Sequence, residues 1–450
     1  MHKKTNVLII GGGPSAIVAA ITAKKRHKDK KVTVIRNFEK ALIPCGIPYI
    51  FGSLESVEQN LIPDKVLLAN DIELIIDEVI LINQTKKTVH TKTGVFFSYE
   101  KLIIATGSLP IQVPIEGVNL PGVYEIRKDV AYLKMLKEKL LKTERVVIIG
   151  GGFIGIEMAD EINKMGKKVT IVEALPHCLE MAFDEEFCIE MEEKLRQKNI
   201  EIKTNTKVIK IIGESKVEKV LLSNKEEISA DAIILAIGAV PNTKLAQEAG
   251  LEINKKGAVV VNEYMKTSDD DIFAIGDCAQ KTDFFTKERI TTMLASTATS
   301  EARIAGLNVY NLQIIRQNKG TIGIFSTSIN ELSLAAAGLI EKAALKNHFD
   351  IVIGEAIATD KHPGALPNMF KTKVKLIFSK HSGTILGGQI SGGVPIGEMI
   401  NIVGLAIQNQ LTISDLVTMQ IGTHPLLTAS PIAYPIIGAT QNALSKIHIE

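Results

Sequence analysis

One glycine-rich segment occurs twice in this chain of 450 residues, and this repeat limits the possible folds more than any other feature. The stretch NVLIIGGGPSAIVAA begins at Asn6, and RVVIIGGGFIGIEMA begins at Arg145, so that Gly11 aligns with Gly150. In each copy a β-branched apolar run predicts a buried parallel strand, and the glycines predict a tight turn into a helix. A second strand follows each helix, KVTVI in one copy and KVTIV in the other. The repeat therefore predicts two β-α-β units.

Glycine turns of this kind suit the diphosphate of a dinucleotide. The backbone can approach the phosphates closely, and the exposed amides at the helix start neutralise their charge with help from the helix dipole. One G-x-G-x-x-G motif is weak evidence, but two copies between the right strand and helix favour dinucleotide sites over plain glycine turns. The predicted contacts are Gly11, Gly13, Pro14, Ser15 and Ala16 in the first copy, and Gly150, Gly152, Ile154 and Gly155 in the second.

The residue that ends the second strand differs between the copies. Glu173 ends KVTIVE, where a carboxylate accepts hydrogen bonds from both ribose hydroxyls and repels a 2′-phosphate. We therefore expect this site to prefer NADH over NADPH. In the first copy Arg36 stands at the equivalent place, and Glu39 from the following loop is a candidate substitute.

Three further strings connect the two halves. YEKLIIATGSLP from Tyr99 predicts a strand and then a glycine turn, after which the chain crosses between domains. DAIILAIGAVPN from Asp231 repeats that pattern and carries Gly238. TSDDDIFAIGDCA predicts a buried strand that delivers Gly276 and Asp277 at its carboxyl end, where α/β sheets bind ligands. The chain is thus expected to leave its first domain and return to it.

The character of the chain changes after about Leu312. Short β-like runs alternate with an amphipathic helix over roughly 395–410, which predicts a third, α+β domain. Its last apolar segment, HPLLTASPIAYPIIGA from His424, is interrupted by prolines and suits either the core or the surface of a partner chain. We therefore predict a homodimer.

Composition narrows the class of protein. With 46% hydrophobic and 23% charged residues the chain is globular, and a net charge of +2 favours neither nucleic acid nor a membrane surface as partner. Lys3 and Lys4 precede an apolar stretch like that of a secretory signal, but three consecutive glycines argue against this. Four cysteines form no paired metal motif, which predicts no metal site and a cytoplasmic location.

Together these strings resemble the flavin-dependent pyridine nucleotide-disulfide oxidoreductases, and the similarity covers nearly the whole chain. The resemblance implies an α/β fold with two Rossmann-like dinucleotide-binding domains and an α+β carboxyl-terminal dimerisation domain. It implies an FAD domain at 1–115 and 240–312, an NAD domain at 116–239 and a dimerisation domain at 313–450. The predicted cofactors are FAD and NADH.

The resemblance also assigns residues to each cofactor. It places FAD at the first glycine motif, with Asp277 holding the ribityl chain, and NADH at the second motif with Glu173. Phe153 stands where the family commonly has an aromatic ring that covers the flavin until nicotinamide displaces it, and Glu157 is expected near the nicotinamide. Further predicted contacts are Ala105, Thr106, Gly107, Gly238, Gly276 and Ala295.

Cys45 lies in ALIPCGIPYIFG, where this family carries its redox cysteine. No cysteine stands at Lys40 or Ile50, so the C-x-x-x-x-C pair of the two-cysteine reductases is absent. The pattern resembles the single-cysteine branch: coenzyme A-disulfide reductases, NADH oxidases and peroxidases, and polysulfide reductases. A thiolate attacks disulfide or polysulfide sulfur, and a helix that begins after Cys45 would favour the thiolate. Inert packing is the alternative, and it is the interpretation given to Cys178, Cys188 and Cys278.

The acceptor is less constrained than the cofactors. Peroxidases and water-forming oxidases of this branch place a histidine in the first glycine loop, where this chain has Pro14. His424 is similar to an acid-base histidine of the two-cysteine reductases, although Ala429 replaces the glutamate that orients it, and a structural role is equally open. Tyr434 is a catalytic candidate by location.

We expect electrons to pass from NADH through flavin and Cys45 to a disulfide-type acceptor such as coenzyme A disulfide or polysulfide. The alternatives are an NADH oxidase and a flavin-containing, NADH-responsive binding protein.

Overall fold

The computed structural model describes residues 1–316 and 320–447. The chain forms two compact units. One comprises Met1–Val113, Glu125–Lys142 and Ile237–Thr321, and the other Pro114–Tyr124, Thr143–Ala236 and Ile322–Glu450. The predicted three-domain division is finer and stays a prediction, and positions 317–319 and 448–450 of its last range lie outside the described residues.

Helices occur throughout the described chain. The α-helices are Pro14–Arg26 (α1), Lys65–Leu68 (α2), Val130–Leu141 (α3), Phe153–Lys164 (α4), Glu185–Gln197 (α5), Lys244–Glu248 (α6), Ala295–Asn308 (α7), Glu341–Lys346 (α8), Ile396–Gln408 (α9), Ile413–Val417 (α10) and Pro435–Leu444 (α11). Short 3₁₀ helices lie at Pro44–Gly46, Pro48–Ile50, Val57–Asn60, Gly276–Cys278 and Pro431–Ala433. Within residues 1–316 and 320–447, no helix combines the length and the apolar character needed to cross a bilayer.

The first unit is built on a parallel five-stranded sheet. Its order is Ile272–Ala274, Lys101–Ile104, Val7–Ile10, Val32–Arg36 and Glu73–Ile76. The strand Val7–Ile10 is a continuous buried apolar run, and the last three residues of Lys101–Ile104 are buried and apolar, as expected for a parallel sheet covered on both faces. Because Ile104 pairs with both Ile10 and Ala274, the residues that follow these three strands meet at one edge.

Small residues let two helices of this unit pack closely. Helix α1 buries Ala16, Ala19, Ala20 and Ala23, and it contacts α7. A Cβ at Gly306 of α7 would lie 3.0 Å from the Ala19 carbonyl oxygen, so the two backbones approach closely. The remaining strands of the unit form one four-stranded and three two-stranded sheets: His2–Lys4 with Phe96–Ser98, Thr88–Thr91 and Val79–Asn83; Ser108–Pro110 with Ala239–Pro241; Lys281–Thr282 with Arg289–Ile290; and Ala41–Leu42 with Leu61–Ile62.

The second unit contains the second glycine motif and the carboxyl-terminal segment. Its first sheet has the order Val123–Glu125, Ala232–Leu235, Arg145–Ile149, Lys168–Val172 and Glu201–Lys203. The last four strands are parallel, and α4 packs on them. A three-stranded antiparallel sheet follows: Val208–Ile212, Lys219–Leu222 and Glu227–Ser229.

An antiparallel five-stranded sheet forms the carboxyl-terminal part of this unit. Its order is Ile324–Ile329, Leu332–Gly338, Ile385–Gly392, Lys371–Ser379 and Ile351–Thr359. Helices α9 and α11 pack against this sheet, and α9 corresponds to the amphipathic helix predicted over 395–410. The predicted fold class, two parallel dinucleotide-type sheets with an α+β carboxyl-terminal part, is confirmed.

Candidate cofactor and redox sites

The first glycine turn has the geometry of a diphosphate cradle. Gly11 has φ +126°, and a Cβ there would overlap the Ala105 carbonyl oxygen, so only glycine fits. Gly13 caps the start of α1 and Pro14 occupies the first turn. Since glycine offers no side-chain acceptor, the first amides of α1 remain for an anionic ligand. These residues fit FAD at the place predicted for it.

The Gly276–Asp277 turn lies against this cradle. Gly276 has φ +73°, and a Cβ there would lie 2.8 Å from Ser15 Oγ at the start of α1. Asp277 Oδ2 accepts hydrogen bonds from Ser108 Oγ at 2.7 Å and from Lys128 Nζ at 3.2 Å. The predicted Gly276 and Asp277 are thus adjacent to the predicted Ser15, whereas sequence reasoning missed Ser108 and Lys128.

The other predicted residues of this unit occupy distinct positions. Thr106 Oγ1 donates to the Asn242 carbonyl oxygen at 2.6 Å, and the Asn242 amide donates to the Gly107 carbonyl oxygen at 2.9 Å. Ala295 is the first residue of α7. Gly238 has φ +104° and belongs to this first unit rather than to the unit of the second glycine motif.

Arg36 is buried beneath the first glycine turn, and its guanidinium is satisfied by protein groups. Nη1 and Nη2 lie 2.7 and 2.9 Å from the two carboxylate oxygens of Asp64. Nε donates to the Phe38 carbonyl oxygen at 2.9 Å, and Nη2 also donates to the Glu39 carbonyl oxygen. A Cβ at Gly12 would overlap Arg36 Cδ. Arg36 therefore packs under the turn and binds the Asp64 carboxylate next to it. Glu39 is exposed, and its contact with the FAD ribose stays a prediction.

The second glycine turn repeats this geometry with a carboxylate beside it. Gly150 has φ +108°, Gly152 caps α4, and a Cβ at Gly155 would overlap the Gly150 carbonyl oxygen. Glu173 Oε2 accepts the Gly151 amide at 2.6 Å, and Oε1 accepts the Leu175 amide at 2.8 Å. Each carboxylate oxygen keeps capacity for a further donor. The arrangement fits the ribose of a nicotinamide dinucleotide.

The face of α4 that begins at Phe153 contacts one strand of the carboxyl-terminal sheet. Phe153 stacks on Phe325, with ring centroids 5.4 Å apart and planes inclined by 20°. One turn later Glu157 accepts a hydrogen bond from Thr327 Oγ1 at 2.9 Å. Phe325 and Thr327 are two residues apart and therefore share a face of Ile324–Ile329. Sequence reasoning identified Phe153 and Glu157 but missed these partners. Ile154 between them is exposed, and its predicted contact with a dinucleotide stays a prediction.

Glu157 is expected to change protonation near neutral pH. Burial raises the pKa of its carboxyl group to about 7, although the Thr327 hydrogen bond opposes the rise. The folded protein thus keeps the proton on Glu157 up to about pH 7, whereas the unfolded chain releases it near pH 4.5, the ordinary pKa of a glutamate. This contribution to stability is present below pH 4.5 and is lost as the pH rises through about 7.

The Glu157→Gln variant tests this titration. Between pH 5 and pH 8 the wild-type protein should lose roughly 2.5 kcal/mol of unfolding free energy relative to this variant, because glutamine does not titrate. Urea unfolding of both proteins at the two pH values measures the difference. An equal pH dependence in both proteins would contradict a raised pKa at Glu157.

Cys45 is distinguished from the other cysteines by its exposure. Cys45 is exposed, whereas Cys178, Cys188 and Cys278 are buried. Burial raises the pKa of each buried thiol, to about 12 in Cys188, and so disfavours their thiolates. Only an accessible thiol can meet a dissolved sulfur compound. Among the four cysteines, Cys45 is therefore the one suited to exchange chemistry.

The local structure around Cys45 differs from the sequence prediction. Instead of a helix that begins after Cys45, a 3₁₀ helix at Pro44–Gly46 contains it and a second one follows at Pro48–Ile50. Two prolines interrupt the segment and limit each helix to one turn. A Cβ at Gly46 would overlap Asn60 Oδ1, which explains a glycine next to the cysteine.

Two histidines of the second unit differ in which ring nitrogen carries the proton. His424 is exposed, and its Nδ1 accepts the Leu426 amide at 3.2 Å, so protonation of Nδ1 would break this bond. His362 Nδ1 lies 3.0 Å from the Thr428 carbonyl oxygen, which only accepts. Nδ1 of His362 therefore carries the proton, and Nε2 can gain another without loss of this bond. Sequence reasoning missed His362.

Tyr434 occupies the start of the last helix. It caps α11, and burial raises the pKa of its hydroxyl group. Ala429, at the place where two-cysteine reductases have a glutamate, is buried. Neither feature assigns Tyr434 or His424 a catalytic role, so both stay predictions.

Comparisons with known proteins cover both units. A model of the family described as pyridine nucleotide-disulphide oxidoreductase matches residues 5–302, and a model of that family's dimerisation domain matches residues 324–432. An NADH oxidase of Methanocaldococcus jannaschii is 30% identical over 98% of this chain and 99% of its own length. An NAD(P)H coenzyme A polysulfide/persulfide reductase of Pyrococcus horikoshii is 33% identical over 87% of this chain and 88% of its own.

A solved structure extends the likeness to three dimensions. The NAD-dependent persulfide reductase from A. fulgidus has a TM-score of 0.91 to this chain at 28% identity. The match covers 98% of this chain and 83% of that protein. The relatives thus share an architecture and differ in the acceptor that their names give.

Proposed function

The chain belongs to the pyridine nucleotide-disulphide oxidoreductases, and on that basis we propose that it passes electrons from NADH through FAD and Cys45 to a low-molecular-weight sulfur acceptor. Coenzyme A disulfide and polysulfide are the acceptors proposed. The proposal depends on one observation: Cys45 is exposed, whereas the other three cysteines are buried.

The glycine turns supply the cofactor sites of this proposal. FAD, when bound, accepts a hydride from NADH and passes two electrons to sulfur. The turn at Gly11 would hold the FAD diphosphate, and the Asp277 carboxylate would accept a hydrogen bond from a hydroxyl group of the ribityl chain. The Glu173 carboxylate would accept hydrogen bonds from the ribose hydroxyls of NADH and repel a 2′-phosphate. We therefore propose NADH rather than NADPH as the preferred electron donor.

Cys45 provides the sulfur chemistry. Its thiolate attacks one sulfur of a disulfide, so that the S–S bond of the acceptor breaks and a Cys45–sulfur bond forms. The first product leaves as a thiolate and takes up a proton. Two electrons from NADH then cleave the mixed disulfide, which restores the Cys45 thiolate and releases the second thiol. The balance is one NADH and one proton consumed for each disulfide converted to two thiols.

Proton supply to the departing thiolate needs an ionisable group. His424 and Tyr434 stay candidates for this role on the family resemblance. The hydrogen bond of His362 Nδ1 to the Thr428 carbonyl oxygen supports His362 as an additional candidate, because it orients an imidazole ring, the side chain that most often acts as a general acid or base.

The proposal includes a homodimeric assembly and a cytoplasmic location. The match to the dimerisation domain over residues 324–432 supports a homodimer. The low cysteine content supports the predicted cytoplasmic location.

Oxygen is the second candidate acceptor, because the M. jannaschii relative is named an NADH oxidase. Steady-state NADH consumption with coenzyme A disulfide, polysulfide or air-saturated buffer separates the two functions. The proposal predicts the highest kcat/KM with a sulfur compound. A higher value with oxygen than with either sulfur compound would favour the oxidase function instead.

A further inference from the structure

A buried ion pair holds the backbone of the Gly276–Asp277 turn. The side chains of Lys281 and Glu301 are 2% and 3% exposed, and Lys281 Nζ lies 3.1 Å from Glu301 Oε2. Lys281 Nζ donates to the carbonyl oxygens of Gly276 at 2.6 Å and Ala279 at 2.8 Å. Glu301 Oε2 accepts the Gly276 amide at 2.9 Å. Both polar backbone groups of Gly276 therefore bond to this pair, and the Ala279 amide also donates to the Gly276 carbonyl oxygen at 3.0 Å.

The turn needs such partners because of its conformation. Gly276 follows the parallel strand Ile272–Ala274 and has φ +73°, which directs its peptide groups away from the strand ladder. Buried backbone groups that leave a ladder must find other hydrogen-bond partners. Helix α7 supplies Glu301, and the strand after the turn supplies Lys281.

Stability alone is a weak explanation for this pair. The desolvation of two buried charges can exceed their attraction, and well-packed apolar residues are often as stabilising as a buried ion pair. The pair instead anchors the turn, because the Lys281 ammonium group donates to two carbonyl oxygens and the Glu301 carboxylate accepts one amide. The turn also lies close to the diphosphate cradle, because a Cβ built at Gly276 would be 2.8 Å from Ser15 Oγ. A small shift of the turn would therefore alter two parts of the FAD site.

The Asp277 side chain is held separately from its backbone. The bonds from Ser108 and Lys128 both end on Oδ2, and they orient the carboxylate. A carboxylate has about four acceptor positions, so these two bonds leave capacity for a ligand hydroxyl. The direction in which that capacity points depends on the backbone position that Lys281 and Glu301 set.

We propose that Lys281 and Glu301 are positioning residues for FAD: the buried pair fixes Gly276 and thereby sets where Asp277 presents its carboxylate to the ribityl chain. The inference rests on the part of the proposed function that places FAD at this turn. It is independent of the sulfur acceptor.

Lys281→Met is the direct test. The substitution keeps an unbranched side chain of similar length but removes both ammonium hydrogen bonds to the turn and the ion pair with Glu301. FAD binding to the apoprotein, measured from the quenching of flavin fluorescence, should weaken about tenfold or more, which corresponds to 1.4 kcal/mol per tenfold. Lys101→Met is the matched control, because Lys101 forms an ion pair with Asp271 at the opposite, amino end of the same sheet. Its FAD affinity should match that of the wild type.

The double variant Lys281→Met/Glu301→Gln separates positioning from stability. It removes both charges, and the glutamine oxygen can still accept the Gly276 amide, so the melting temperature of the apoprotein should recover toward the wild-type value. FAD affinity should nevertheless stay reduced, because the hydrogen bonds from Lys281 Nζ to the carbonyl oxygens of Gly276 and Ala279 remain absent. If both variants bind FAD as tightly as the wild type, the pair is merely structural and the inference is wrong. If the single variant does not fold, the double variant decides the question.

This experiment also distinguishes two kinds of failure. It uses FAD alone, without NADH or an acceptor. A wild-type protein that binds no FAD would overturn the proposed function, whereas normal FAD binding by the variants would overturn only the role of the ion pair.

Discussion

Replacing Cys45 with serine should abolish turnover with sulfur acceptors while NADH still bleaches the absorbance of bound FAD. We expect a loss on the order of 10³-fold or more, because a hydroxyl group cannot form the mixed disulfide and loss of a covalent nucleophile has effects of this size. The remaining cysteines cannot substitute, since burial separates them from solvent and raises the pKa of their thiols. Steady-state NADH consumption with coenzyme A disulfide or polysulfide measures the effect.

The matched control is Cys188→Ala, which removes a buried thiol from the second unit. Turnover should stay within about twofold of the wild-type value if the variant is folded, because the effect of a buried substitution away from a site is on stability. Iodoacetamide should alkylate Cys45 faster than any other cysteine of the native protein. Retention of sulfur turnover by Cys45→Ser would show that the assignment of the redox cysteine is wrong.

Gly155→Ala should slow the reduction of bound FAD by NADH without releasing FAD. A Cβ at Gly155 would overlap the Gly150 carbonyl oxygen, so α4 or the glycine turn must move. Overpacking of this kind costs about 1–3 kcal/mol, and the movement falls on the backbone that would hold the NADH diphosphate. We therefore expect roughly ten- to a hundredfold slower reduction at subsaturating NADH. Rapid-mixing absorbance measurements at several NADH concentrations give this value.

Gly397→Ala controls for the substitution itself. Gly397 lies in α9 of the same unit, and a Cβ there meets nothing within 4 Å. This variant should reduce FAD at the wild-type rate. An unchanged rate in Gly155→Ala would mean that NADH does not bind at the second glycine turn.

The parts of the fold that sequence could predict are those that rest on local patterns. The repeated strand, glycine turn and helix predict two parallel sheets, because the positive φ angles of Gly11 and Gly150 and the close approach at Gly155 leave few other residues possible. Glu173 was identifiable for the same reason, since it ends a strand at a fixed distance from the turn.

The parts that sequence could not predict depend on side chains from distant segments. The position of Arg36 at the end of its strand does not predict that Asp64, 28 positions later, neutralises the charge of its guanidinium group. Lys128 reaches Asp277 across 149 positions of sequence, and no motif links the two. Such pairs follow from tertiary packing, to which helical and strand periodicity is insensitive.

Backbone detail around Cys45 was also beyond local reasoning. A glycine and two prolines near the cysteine were compatible with a helix that begins after it, yet the chain forms two single 3₁₀ turns. Asn60, which donates a hydrogen bond to the Ile43 carbonyl oxygen at 3.0 Å and leaves no room for a Cβ at Gly46, lies 14 positions beyond Gly46.

Anaerobic stopped-flow spectroscopy shows whether Cys45 carries electrons from NADH to sulfur. The purified protein would be reduced with one equivalent of NADH and then mixed with coenzyme A disulfide, polysulfide or oxygenated buffer while the absorbance of bound FAD is followed. We expect fast reoxidation of the flavin by a sulfur compound in the wild type and none in Cys45→Ser. Fast reoxidation by oxygen alone, at equal rates in both proteins, would contradict this expectation.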